Sequence, residues 1–164
     1  MVKKKRGEAK QVKKAIHRES CIDKMFVAMA LLFLIYALDR YTKYVSSLVS
    51  GCAFFCMKRS INYGAAFNLL QGFEWTRILL IFVTVIVLVL TAYFYCTVPR
   101  LKAFHYGLLF LFAGTLCNMI DRLLYGYVVD WLSFSFLPVP AFNIADISNV
   151  AGVIILIIVL LKKK

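Results

Sequence analysis

Carboxylates are scarce in this chain. Eight Asp and Glu stand against 20 Lys and Arg, for a formal net charge of +12. An excess of that size could serve nucleic-acid binding, but the basic residues gather at the ends of apolar runs. Lys3, Lys4, Lys5, Arg6, Lys10, Lys13, Lys14, Arg18 and Lys24 precede the first run, and Lys162, Lys163 and Lys164 follow the last. Basic clusters placed there orient a membrane protein, so no nucleic-acid partner is expected. Histidine is nearly absent, with only His17 and His105. Both fall on the side assigned below as cytoplasmic, which leaves a His/Cys zinc site without ligands. The five cysteines, Cys21, Cys52, Cys56, Cys96 and Cys117, are too scattered for a disulfide framework. No internal repeat is present, which excludes a solenoid.

What the chain has in abundance is apolar surface. It is 62% hydrophobic with a mean hydropathy of +0.80, whereas soluble domains are about 45–50% apolar. The excess lies in long uncharged runs, as in an all-α integral membrane protein. A basic tail over residues 1–24 is expected to precede one four-span domain over 25–164, with spans at about 25–45, 77–97, 104–121 and 144–161.

Met25 to Leu38 alone is too short to cross about 30 Å of hydrocarbon. The first span therefore continues through Asp39 and Lys43 to about Val45. Asp39 and Lys43 are four apart, share a helix face and can pair. Charges inside a membrane normally face a bundle interior. Val49-Ser50-Gly51-Cys52 resembles a lipidation box, but Asp39, Arg40 and Lys43 interrupt the apolar run before it and three more spans follow. Whether Cys52 and Cys56 pair stays open. Ala53 to Trp75 does not span; its aromatics, β-branched residues and Gly suit a short surface sheet or hairpin. Gly64, in Asn62-Tyr63-Gly64-Ala65-Ala66-Phe67, permits a tight turn there. Ile78 to Thr97 carries no ionisable charge and reads as lipid-facing scaffold. Gly107, Ala113, Gly114 and Thr115 are small enough for close helix approach in the third span.

With the basic tail inside, four spans return the C-terminal lysines inside, and the turn with Arg100 and Lys102 also falls there. Both termini are then cytoplasmic. Asp39, Asp121, Asp130 and Asp146 all come to the outer side. Two acids held close cannot both ionise cheaply, so one keeps its proton while the other is an anion. Such a pair can activate water and protonate a leaving amine. Asp121 has Arg122 beside it and Asp39 has Lys43, which suits structural ion pairs. Asp130 and Asp146 have no basic neighbour in sequence and are the better catalytic candidates. The alternative is a non-enzymatic transport or assembly protein whose acids bind cations. Trp131, Phe134 and Phe136 are expected at the lipid interface.

Five ordered motifs resemble one family. Asp39-x-x-x-Lys43, Asn62-Tyr63-Gly64-Ala65-Ala66-Phe67, Asn118-x-x-Asp121-Arg122, Val128-Val129-Asp130 and Phe142-Asn143-Ile144-Ala145-Asp146 are similar to those of the lipoprotein signal peptidases, or signal peptidase II. The family's Gly-rich run before Asn118 is reduced here to Gly114, and the basic N-terminal extension is longer than the family needs. The resemblance implies an aspartic endopeptidase of the bacterial cytoplasmic membrane. It would remove signal peptides from diacylglyceryl-modified prolipoproteins, cutting N-terminal to the lipidated cysteine. It also implies Asp130 and Asp146 as the catalytic pair, no metal or cofactor, and inhibition by globomycin-type peptides. Substrate-binding or supporting roles would fall to Asn62, Gly64, Asn118, Asp121, Arg122, Asn143, Ala145, Asp39 and Lys43. The implied fold is four membrane helices with a small extracytoplasmic sheet and a short outer helix, the partners being prolipoprotein and membrane lipid.

Overall fold

The computed structural model describes residues 25–65, 69–73, 75–98, 102–137 and 139–162. The basic tail, Ala66 and Phe67, Arg100 and the last two lysines lie outside them. Four helices are long and apolar enough to cross a membrane: α1 (Met25–Val45), α2 (Thr76–Thr97), α3 (Lys102–Leu124) and α4 (Ile144–Leu161). At 1.5 Å per residue, α2's 22 residues reach about 33 Å, enough for the hydrocarbon thickness. Large apolar side chains such as Phe33, Ile78, Phe82, Val89 and Ile154 stand exposed on these helices, as surfaces that meet lipid do. Within α2, Thr84, Thr91 and Thr97 donate their hydroxyls to carbonyls one turn back, so these three donors do not face lipid unpaired.

Small residues set the packing. A Cβ on Gly152 would lie 2.7 Å from both Gly107 O and Leu111 N, and one on Gly114 would run into the Ala145 carbonyl. Glycine is therefore what lets α3 and α4 touch backbone to backbone. Ser148 Oγ donates to Phe110 O at 2.7 Å and Thr115 Oγ1 to Asn149 Oδ1 at 3.0 Å, adding polar ties across that interface. α1 joins through Ile35, which is buried with Ala113, Cys117 and Ala145.

A three-stranded antiparallel sheet, in the order β1 (Gly51–Cys52), β2 (Phe55–Asn62), β3 (Val128–Phe134), caps the end of the bundle where α1 and α3 finish and α4 begins. Ser60 pairs with Asp130 and Asn62 with Val128, with an irregularity between Met57 and Ser60. Cys52 and Cys56 face each other across β1 and β2 and are joined as a disulfide. Phe142 bridges back to Leu132, with backbone bonds of 2.8 and 3.0 Å in the two directions. That bridge delivers the chain into α4 beside β3.

Two expectations need correction. Ala53 to Trp75 forms strands and turns, and no short outer helix occurs among its described residues. Leu70 and Gly72 both adopt positive φ (65° and 102°), which breaks a helix there. Trp131 does not rest at a lipid interface: it is 7% exposed, held in β3, while Phe136 beyond the strand stays exposed. The third strand was not legible as a strand, because its residues also suit an interfacial loop.

Candidate active site

β3 and α4 bring two acids to one asparagine. Asp130 stands in β3 opposite Ser60 and is buried. Asn62 Nδ2 donates to Asp130 Oδ2 at 3.0 Å, and Asn143 Nδ2 donates to Oδ1 at 2.7 Å. Each carboxylate oxygen thus meets an amide donor. The Asn62 amide is itself oriented, since its oxygen accepts the Gly64 N–H at 2.9 Å.

Asp146 lies in the first turn of α4. Asn143 caps that helix: its side-chain oxygen accepts the Asp146 N–H at 3.0 Å, and its own N–H donates to Asp146 Oδ2 at 3.1 Å. This is a reciprocal capping box, and it fixes the Asp146 side chain as well as the helix start. Asp146 Oδ1 accepts Asn118 Nδ2 at 2.8 Å. Asn143, 0% exposed, therefore holds one acid with its amide and the other with its backbone. Burial pushes the Asp130 carboxyl up to about 6; the Asn62 amide opposes this, the Asp146 charge adds to it, and Asn143 and Lys43 oppose it.

A second charged cluster braces the first. Lys43 Nζ lies 2.7 Å from Asp39 Oδ2, as the i,i+4 spacing predicts, and 2.7 Å from Asp121 Oδ2. Arg40 also contacts both acids. Asp39, fully buried, uses its other oxygen to accept the Ala145 N–H at 3.1 Å. That N–H is in the first turn of α4, where helix donors lack intrahelical partners. A carboxylate on α1 thereby secures the turn that carries Asp146.

Asp121 and Arg122 do not form the ion pair their adjacency suggested. Consecutive helix residues face different directions, so Asp121 turns to α1 while Arg122 reaches Gly64 O at 3.1 Å and Asn118 O at 3.5 Å. Arg122 ties the turn after β2 to α3. Arg40, which interrupts the apolar run, belongs to this cluster although none of the motifs marks it; its position one residue after Asp39, inside a span, is the available signal.

Four apolar helices bearing a small sheet, with two carboxylates held between asparagine amides at their junction, define a multi-pass membrane protein with a buried diacid site. Residues 31–162 match the family model of signal peptidase (SPase) II. Lipoprotein signal peptidase from Caldanaerobacter subterraneus subsp. tengcongensis is 33% identical over 138 residues, covering 79% of this chain and 92% of that protein. The lipoprotein signal peptidase of Clostridium novyi is 36% identical over 149 residues, covering 82% of this chain and 99% of the relative. A solved bacterial membrane enzyme superposes with a TM-score of 0.76 at 31% identity, over 83% of this chain and 88% of that one. The chain belongs to the signal peptidase II family, a family of membrane proteases that process lipoproteins.

Proposed function

We propose that this chain removes the signal peptide from diacylglyceryl-modified prolipoproteins, cutting N-terminal to the lipidated cysteine, with Asp130 and Asp146 as an aspartic pair. The observation that carries this reading is the double hold of Asn143 on the two acids, Asp130 through its amide and Asp146 through its backbone.

The ionised member takes a proton from a water molecule, and the resulting hydroxide attacks the scissile carbonyl carbon. The protonated member donates to the carbonyl oxygen as it becomes an oxyanion. When the tetrahedral intermediate collapses, the C–N bond breaks, the acid that took the water proton delivers it to the departing amine, and an intermediate hydroxyl returns its proton to the other acid, which restores the pair. The pair shares its titration, so the single proton belongs to both acids. Asn62, Asn118 and Asn143 orient the carboxylates, and Gly64 brings backbone close to the cleft. Asp39, Lys43, Asp121, Arg122 and Ala145 hold the frame. The distribution of Lys and Arg supports cytoplasmic termini, which puts the pair at the extracytoplasmic face of the cytoplasmic membrane.

The test is direct. Purified protein in detergent, given a lipidated prolipoprotein, should release the shortened product, and globomycin should block it. Asp130→Asn and Asp146→Asn should each abolish release while the protein still inserts. Substantial turnover by either variant refutes the pair.

A further inference from the structure

The seam between α1 and α3 differs from the α3–α4 interface. Glycines close the latter, whereas the former leaves open space between its side chains. A groove of about 260 Å³ runs there, lined by Leu32, Phe33 and Tyr36 of α1 and by Leu116, Cys117 and Ile120 of α3, and its surface is almost wholly apolar. It lies within the apolar length of both helices.

One helical turn further along α1, the character of the seam inverts. Arg40 follows Tyr36 by four residues, and its guanidinium carbon lies 5.6 Å from the Tyr36 ring centroid. Arg40, Lys43 and Arg59 line a second pocket of about 290 Å³, together with Tyr44, Tyr125, Tyr127 and one acid, Asp121, which pairs with Arg40 and Lys43 and leaves the lining net positive. Asp130 and Asp146 do not line it. Lys43 is saturated by Asp39 and Asp121. Arg59, on β2, has no ion pair among the described residues, and Arg40 Nε is buried without a hydrogen-bond partner among them. A buried guanidinium donor left unpaired is costly, and an anion seated there would satisfy it.

An apolar groove with a net positive, tyrosine-lined pocket about one helical turn beyond it along the same two helices has the polarity profile of one phospholipid: hydrocarbon, then phosphate. We propose that the α1–α3 seam binds a single phospholipid, its phosphate against Arg40 and Arg59 and one acyl chain along Phe33 and Leu116. This lipid sits outside the cleavage site and braces α1, whose Asp39 secures the start of α4.

Binding is read without cleavage, so it stands apart from the peptidase reading. The full chain in detergent, stripped of lipid, is titrated with phosphatidylglycerol, with diacylglycerol of the same chains, and with glycerol 1-phosphate, and bound adducts are counted by native mass spectrometry. Phosphatidylglycerol should be retained at one per chain, and the other two should not. Arg59→Ala, an exposed position with little risk to folding, should weaken retention about tenfold through loss of a charge-assisted bond. Leu116→Trp, which fills the groove, should abolish it, with melting profiles checking that both variants fold. Equal retention of diacylglycerol would show that the cations recognise nothing. Equal retention of glycerol phosphate would make this a soluble-anion site. Unchanged binding by both variants would place the lipid elsewhere. Each of these three results overturns the proposal.

Discussion

Replacing Asn143 by Ser separates two jobs that this residue performs. Serine is as good an N-cap as asparagine, so the bond to the Asp146 N–H survives. Its short hydroxyl cannot also reach Asp130 Oδ1, which now accepts the Asn143 amide at 2.7 Å. A hydrogen bond to a charged group contributes about 1.5–3 kcal/mol. Losing it raises the pH at which the carboxyl gives up its proton, because donors favour the ionised form. At 1.36 kcal/mol per pH unit, that is a rise of about one to two pH units. The acidic limb of the kcat/KM profile, which the proposed pair would set, should therefore move toward higher pH by about that much. Asn143→Ala should move the limb equally and lose about 1 kcal/mol more stability through the missing cap. The assay is cleavage of a lipidated prolipoprotein across a pH series, with thermal melting in parallel. A serine variant whose profile overlays the wild type would refute the role given to the Asn143 amide.

Asp130 has its pKa near 6 in the folded state against an unfolded value of 3.8, so the native state binds more protons between those values. Its contribution to stability is thus lost as pH rises through that window, by about 3 kcal/mol in all. Melting of wild type minus Asp130→Asn from pH 4 to 7 should show the fall, and parallel curves would contradict it. Lys43→Met leaves buried Asp39 and Asp121 with Arg40 as the one cation they still share; a loss of about 3 kcal/mol is expected, read as a lowered melting temperature. Gly114→Ala drives a methyl into the Ala145 carbonyl, which should cost about 1–3 kcal/mol. Because Ala145 precedes Asp146, kcat should fall while the variant still inserts in the membrane.

Much of this molecule is written locally. The apolar runs specify α2 and α4, since hydropathy over some twenty residues is a property of the segment itself. The four-residue spacing of Asp39 and Lys43 fixes their pairing because a helix places i and i+4 on one face. The tendency of four acids to gather on one side followed from charge bias and span count. Tertiary structure decided what depends on distant partners. Ser60 and Asp130 meet across β2 and β3, and nothing in the local pattern of Val128–Phe134 separates a paired strand from an interfacial loop. Asp121 chose Lys43 and Arg40 over its neighbour Arg122 because helix geometry turns adjacent side chains apart. The burial of Trp131 and the grasp of Asn143 on both acids likewise required β3 and α4 to be brought together by the Leu132–Phe142 bridge. Periodicity tells which face a residue occupies, but the partner waiting on that face is set by packing among segments far apart in the chain.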